Sequence, residues 1–352
     1  MPPAPLTPRQ RLARTAAISA LLAAAAAGLL YLADRLGPAR QARQFIDTIE
    51  ASGARHAGYR RAHSHGVCVS GWFEPKPALA QLSRASMFTQ TRIPAQGRLS
   101  IGGGGPEAAE AAARVRSLAL QLTAEDGQQW RLAMNSFPFF GMPSAEAFLE
   151  QVRAQTPDPA TGKPDPAAIA ALQARYPSAR AFAQWARTAP WTDSWANTGY
   201  NGIHTFYFVD ADGQRTPLRW SFVPLAEAQT MSEQQRQHAP ANYLSTELAG
   251  RLAQGPVGWT LQLQLAEPVD VLEDPSIAWP QERPTVDAGT LWIDAMQPQQ
   301  GGYCDGVNFD PTVVPDGIVT SADPILAVRS AVYAQSWNRR LQEQRQATEA
   351  KP

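Results

Sequence analysis

Cysteine and histidine are scarce in this chain: 352 residues contain two of the former and five of the latter. Neither Cys68 nor Cys304 sits in a CxxC or Cys/His spacing, which excludes zinc ribbons and disulfide-dense scaffolds. A single bridge between the two stays open at this level. An excess of one charge is missing too, with 31 Lys and Arg against 31 Asp and Glu. A nucleic-acid binder would carry a basic excess or stripe, so that class is excluded. Charged residues make up only 18% and hydrophobic ones 44%, which is wrong for disorder and ample for a packed core. No repeat of about 20–50 residues is visible, which removes solenoids and propellers. Against these absences stand 30 prolines and 25 glycines. They are too many for a helical bundle and suit a strand-and-loop fold with long connections. The length fits one large domain or two ordinary ones.

Residues 15–33, TAAISALLAAAAAGLLYLA, carry no charge. At about 1.5 Å per helical residue they span roughly 28 Å, near the hydrocarbon thickness of a bilayer. Alanine adds little to insertion, so Ile18, Leu21, Leu22, Leu29, Leu30 and Leu32 carry the apolar drive. A signal peptide is the rival reading, because Arg9, Arg11 and Arg14 form a basic lead. An h-region is only about 7–15 residues long, however, and Tyr31-Leu32-Ala33-Asp34 is a poor cleavage site. The sequence therefore predicts an uncleaved, single-pass transmembrane helix that meets the lipid bilayer through residues 15–33. Arg35, Arg40 and Arg43 follow closely, so the positive-inside bias is weak. Export of the large following domain is the expected topology, at a bacterial inner membrane and facing the periplasm. The expected organisation is an anchor over 1–38, a folded domain over 39–345 and a polar tail over 346–352.

Beyond the anchor, Ala39–Ser52 has helical spacing of Ala42, Phe45, Ile46 and Ile49. His65–Phe73 and Gly97–Ile101 read as strands. Leu118–Leu122 and Trp130–Met134 flank Glu125-Asp126-Gly127 as a hairpin, and Thr205–Val209 and Leu218–Phe222 flank a second turn. Trp259–Leu265 and Thr290–Ile293 add strands. Helices are predicted over Ser144–Ala154, Pro166–Tyr176, Ala179–Ala186 and Thr246–Ala253. The clearest helix opens at Asp323-Pro324, an N-cap before an N1 proline, and runs to about Arg345. Antiparallel strands with scattered helices, and no βαβ rhythm, indicate an α+β fold built on a barrel or sandwich.

Several constellations carry chemistry or imitate it. Gly102–Gly105 lacks the Lys-Ser/Thr of a P-loop and reads as a flexible turn. Asp210, Asp212 and Gly213 resemble part of a calcium loop without its closing Glu, and read as a hairpin turn. His63 and His65 form an HxH pair to which His204 or His238 could add a metal ligand, although such pairs are often unremarkable. Arg329, Tyr333 and Arg340 share one face of the last helix, with Leu326, Val332 and Trp337 close by. A guanidinium one turn from a phenol favours phenolate, which is a ligand for haem iron. Taken alone, the same pattern is an ordinary amphipathic helix.

In combination these pieces resemble the haem-dependent catalase superfamily, in its small catalase-related peroxidase form. The run RRAHSHGVCVSGWFEP from Arg60 resembles the segment with the distal histidine, which maps to His63. Arg98-Leu99-Ser100 resembles the next distal strand, and MNSFPFF from Met134 resembles the asparagine motif. NFDPTVVPDGIVTSADPILAVRSAVYAQSWNRR from Asn308 resembles the proximal segment, with Arg329 and Tyr333 in its R-x-x-x-Y positions. YNGIHTFYFVDADG and DPSIAWPQERP look like further landmarks, in the family's order.

The resemblance implies an eight-stranded antiparallel β-barrel with surrounding helices, holding haem b. Tyr333 would be the iron ligand, kept anionic by Arg329. His63 would move a proton on the peroxide, Asn135 would orient it, and Ser100 would hold the histidine from behind. Arg60, Arg98 and Arg340 would meet the haem propionates, Phe148 would stack on the porphyrin, and His65 would be structural. The implied activity is reduction of hydrogen peroxide or organic peroxides by an unidentified small organic donor, with weak catalase activity. A haem-holding membrane protein or a lipid-hydroperoxide-converting enzyme on the same fold is the alternative. The long N-terminal arm and C-terminal domain of full-size catalases have no counterpart here, so no NADPH is expected. Residues 112–118, where full-size catalases carry a channel aspartate, have arginines at 114 and 116, which implies a differently charged channel.

Overall fold

The computed structural model describes residues 7–36, 38–103 and 105–349. It opens with helices α1 (Pro8–Leu36) and α2 (Pro38–Ile49), and a π-helical turn, Glu50–Ala54, ends the second. Strand β1 (Gly66–Pro75), helix α3 (Pro77–Leu82), and strands β2 (Ile93–Ile101), β3 (Arg116–Thr123) and β4 (Gln129–Asn135) follow. Three helices, α4 (Ala145–Gln155), α5 (Pro166–Arg175) and α6 (Pro177–Thr188), lead to β5 (Tyr200–Val209) and β6 (Arg215–Pro224). Helices α7 (Glu233–His238) and α8 (Tyr243–Leu252) precede β7 (Val257–Leu265), β8 (Thr285–Pro298) and the short β9 (Ile318–Thr320). Helix α9 (Pro324–Glu349) comes last.

Local chemistry explains most of these boundaries. Pro77, Pro166 and Pro177 stand in the first turns of their helices, where a missing N–H costs nothing. Ser144 and Asp165 accept from the N-terminal amides of α4 and α5. Asp323 does the same for α9, its Oδ1 accepting from Ile325 at 2.8 Å. Gly127 and Gly213 take positive φ in the two hairpin turns, where an L side chain would be strained.

The strands pair in the order β4-β3-β2-β1-β8-β7-β6-β5 and close through Asn135 opposite Asn201, giving the eight-stranded barrel. β9 adds outside β5. Leu99, Leu120, Leu132, Phe206, Phe208 and Trp220 are among the side chains filling the inside. Trp130 stands edge-on to Trp220 at 5.2 Å, and Gly202 leaves room for that indole, since a Cβ there would lie 2.2 Å from Trp220 Nε1.

Because side chains alternate across a strand, the outer face carries a different set. Gly66, Ser100, Ser117 and Asn135 stand opposite one another in one row across β1–β4. Two residues along, Cys68, Arg98, Ala119 and Ala133 form a second row. This outer face, together with α2, α4 and α9, encloses the cavity described below.

Two expectations need correction. Residues 15–33 do form helix, inside α1, but no helix among the described residues is long and apolar enough to cross a membrane. The polar tail expected over 346–352 begins inside α9, and its residues 350–352 lie outside the described residues. The short elements α3, α7 and β9, of six, six and three residues, left no periodic signal to read.

Glu110 fastens one side of the barrel. It is fully buried, 2.8 Å from His65 Nε2, and accepts from the amide of Ser245 at 2.8 Å and from its hydroxyl. His65 is thereby joined to α8 through Glu110. Its pKa is raised, chiefly by the hydrogen bond to Glu110. The Glu110 carboxyl is lowered against the cost of its burial, by hydrogen bonds from His65 and Ser245. Stability from the raised His65 is complete below the ordinary histidine value and fades as pH rises through the raised one. Stability from the lowered Glu110 is complete above the ordinary glutamate value and fades as pH falls through the lowered one. The pair therefore contributes most between those two ordinary values. Glu110→Ala is expected to lower the unfolding free energy by about 3 kcal/mol near pH 6, read from urea denaturation. A loss under about 1 kcal/mol would contradict the buried pair.

Candidate active site

The cavity has a volume of ≈ 590 Å³ and brings together residues far apart in the chain, among them His63, Arg98, Asn135, Arg329, Tyr333 and Arg340. One wall is the outer face of β1–β4 and the turn before β1. The opposite wall is α9.

His63 sits in that turn with φ 55, the single non-glycine residue at positive φ among the described residues. Histidine tolerates this region better than most residues, but the conformation needs support. Arg98 supplies it by donating from Nη2 to the His63 carbonyl, while Arg98 Nε donates to Gln299 Oε1 at 2.6 Å. Gln299 Nε2 in turn donates to the Ser64 carbonyl at 3.0 Å. The turn is therefore clamped from outside by a charged and a neutral side chain.

The imidazole meets Ser117, not Ser100. Ser117 Oγ lies 3.1 Å from His63 Nδ1 and donates to Asn135 Oδ1 at 2.5 Å. The expected role of Ser100 is thus corrected. Ser100 lines the same cavity one strand away, directly opposite Ser117, but the left-handed turn aims the ring at β3. Burial pushes His63 down to about 4, and the Arg98 and Arg329 charges push the same way. Gly102 keeps the approach open, since a Cβ there would fall 3.4 Å from His63 Cε1 and 2.9 Å from Val115.

On α9, Arg329 Nη2 donates to the Tyr333 hydroxyl at 2.8 Å, the one-turn pair expected from their spacing. Asp323, at the start of that helix, lies 2.5 Å from His204 Nδ1, and both are buried. Burial lowers His204 to about 4 despite Asp323. His204 thus pins α9 to β5. His238 is exposed on α7 and bonds Gln234. Among the described residues no group of three or more His, Cys, Asp or Glu could hold a metal ion.

Three arginines converge at the edge of the cavity. Arg60 donates to the carbonyls of Cys304 at 2.8 Å and Val307 at 3.0 Å, and its Nη1 lies 3.6 Å from Asp305. Arg340 Nη1 lies 3.9 Å from the same carboxylate. Arg98 is the third. Burial is the largest cause of lowering for each; it lowers Arg60 well below the usual range and Arg98 to about 9. Arg60 Nη1 and Arg340 Nε are buried without a hydrogen-bond partner among the described residues. Three guanidinium groups facing one carboxylate leave positive charge uncompensated, which burial makes costly. A flat apolar cofactor with two carboxylates fits this cradle, so the residues present suit a haem.

Other placements differ from expectation. Phe148 reaches the cavity wall but stacks on Phe45 at 5.3 Å and on Phe140 at 5.6 Å. Arg114 and Arg116 turn away from the cavity, so they do not charge its channel. Arg114 is stacked 4.8 Å from Trp185 and 4.6 Å from Trp191, and Arg116 is buried against Thr192 and Ser194. Sequence reasoning missed Ser117, Gln299 and Asp305. Ser100 and Ser117 stand opposite one another on neighbouring strands, a register the sequence does not reveal. Gln299 left no signal.

Comparison with known proteins identifies the family. The family model described as Catalase matches residues 33–348. The chain is 38% identical over 297 residues to a catalase-related peroxidase of Synechococcus elongatus, covering 84% of this chain and 88% of that protein. It is 32% identical over 296 residues to a catalase-related peroxidase of Mycolicibacterium paratuberculosis, covering 83% and 92%. Against mouse catalase the identity is 24%, over 80% of this chain and 56% of the mouse protein. A fungal catalase crystal structure superposes with a TM-score of 0.73 at 20% identity, and this chain spans 61% of its length. The chain belongs to the catalase family.

Proposed function

We propose that the protein is a peroxidase that uses haem b to reduce hydrogen peroxide or organic hydroperoxides at the expense of a small organic donor. The observation that carries this reading is the His63–Ser117–Asn135 hydrogen-bond chain facing the same cavity as the Arg329–Tyr333 pair. When bound, haem would supply the iron that accepts oxidising equivalents from peroxide and passes them to the donor. Tyr333 would hold it through the phenol oxygen, to which Arg329 donates a hydrogen bond, and Arg60, Arg98 and Arg340 would meet its carboxylates.

Proton chemistry follows from donor counting. An amide oxygen only accepts, so the single hydroxyl hydrogen of Ser117 is committed to Asn135 Oδ1. The contact between Ser117 Oγ and His63 Nδ1 must then use the hydrogen on Nδ1. This leaves Nε2 as the unprotonated nitrogen, able to take a proton from peroxide and return it to the departing oxygen. Water leaves in place of hydroxide. Asn135 keeps both Nδ2 hydrogens for the peroxide oxygens, because its carbonyl end is occupied.

Donor-dependent reduction, in preference to dismutation, is supported by the two relatives named catalase-related peroxidase and by their length match. Location outside the cytoplasm, on the periplasmic side of a bacterial inner membrane, is supported by the Cys68–Cys304 bridge. The exposed Ile18, Leu21 and Leu22 of α1 support attachment to an apolar surface.

With hydrogen peroxide and a phenolic donor, the reconstituted protein is expected to oxidise donor stoichiometrically while releasing little oxygen. Rapid oxygen release that a donor leaves unchanged would overturn the reading. Because His63 must be neutral to act as base, the second-order rate constant for peroxide is expected to stay level above about pH 5 and fall near pH 4. A rate limb near the ordinary histidine value would contradict the buried base. Ser117→Ala is expected to slow this step about tenfold or more while Ser100→Ala stays within about twofold. The reverse ranking would restore Ser100 to the role.

A further inference from the structure

The Cys68–Cys304 disulfide lies under the cavity wall. Both sulfurs are fully buried, and Cys68 stands on β1 directly opposite Arg98. Cys304 belongs to the stretch from Gln299 to Val307, which is built from turns: Gly302 N donates to Gln299 O at 3.1 Å and Asp305 N to Gly302 O at 3.0 Å. That stretch folds tightly over the bridge, since a Cβ on Gly302 would lie 2.8 Å from Cys68 Sγ and 2.4 Å from the Pro298 carbonyl.

The same few residues serve both halves of the site. Gln299 holds Arg98 and the Ser64 carbonyl, and so the turn that carries His63. Asp305 and the carbonyls of Cys304 and Val307 hold Arg60, and Asp305 is the acid nearest Arg340. Phe309, Val307 and Tyr333 pack with the two cysteines in one small cluster. A segment of turns has little of its own to fix it, so a covalent tie to β1 decides how far it can fluctuate.

We propose that the Cys68–Cys304 bridge is a positioning element for the haem site: by pinning residues 299–307 to β1 it fixes both the His63 turn and the arginine cradle. This rests on the haem reading above. Cleavage by a dithiol would release that control: the dithiol gives two electrons and two protons, the S–S bond breaks to two thiols, and the reagent leaves as its own disulfide. The reduced protein would then hold haem more loosely.

The test compares the full-length wild type, Cys68→Ala/Cys304→Ala, and wild type reduced by dithiothreitol under native conditions. Reduction covers the case where the double variant does not fold. Two quantities are read: the rate of haem transfer to excess apomyoglobin, and amide hydrogen exchange of the haem-free protein by segment. The expected result is haem loss about tenfold faster, with faster exchange at residues 60–66 and 299–307 and unchanged exchange in β6 and β7. Haem loss and exchange equal to the bridged protein would overturn the proposal. Exchange rising evenly over the whole barrel would also overturn it, because the bridge would then be a general staple. If wild type itself takes up no haem, the haem reading fails, and the exchange pattern alone still decides whether the bridge positions these segments.

Discussion

Ser117 has one hydroxyl hydrogen, and giving it to Asn135 decides the protonation pattern of everything beside it. His63 is left with its hydrogen on Nδ1 and its lone pair on Nε2, and Asn135 is left with two free donors. A base and a hydrogen-bond donor are thereby prepared side by side without any group having to move. The arrangement depends on register. Ser117 and Asn135 are direct partners across β3 and β4, and a one-residue slip would send the asparagine into the barrel core. It depends equally on the left-handed turn at His63, which Arg98 and Gln299 clamp by their bonds to the His63 and Ser64 carbonyls.

Charge balance separates the cavity from the rest of the molecule. Outside it, Arg61 is bonded to Glu50 and Glu343, and Arg339 to Asp47 and Glu50, so α2 and α9 are joined by a nearly neutral network. At the cavity, Arg60 and Arg340 both approach Asp305, and buried Arg98 bonds only the neutral Gln299 and the His63 carbonyl. Burying cations without counter-charge costs stability, and proteins keep such arrangements where a ligand completes them. The surplus is also one-sided: it lies at one edge, while the remaining walls contain Phe45, Phe140, Val328 and other apolar side chains. A ligand that is flat, apolar and doubly anionic at one end satisfies both features.

Much of the fold was legible because the barrel's inner face is mostly apolar. Leu118, Leu120 and Leu122 alternate with Ser117, Ala119 and Gln121, so the hairpins declared themselves by period and by Gly127 and Gly213. The residues on α9 were legible as well, since Arg329 and Tyr333 are one turn apart and Asp323-Pro324 marks the helix start. What could not be read depends on distance in the chain. Which of two serines meets His63, and which acid collects the arginines, are set by strands and turns brought together from opposite ends. The channel arginines failed for a local reason: Arg114 lies in a bend before β3 and stacks on indoles, and Arg116 opens β3 and bonds hydroxyls, while Val115 between them lines the cavity.

The central claim is that α9 and the β1–β4 wall hold a haem between a tyrosine and a histidine. The most direct measurement is the visible absorption spectrum of the haem-loaded protein beside that of Tyr333→Phe. The account predicts a ferric tyrosinate spectrum in the wild type that the variant loses, either by changing its bands or by failing to retain haem. Identical spectra in the two proteins would contradict it.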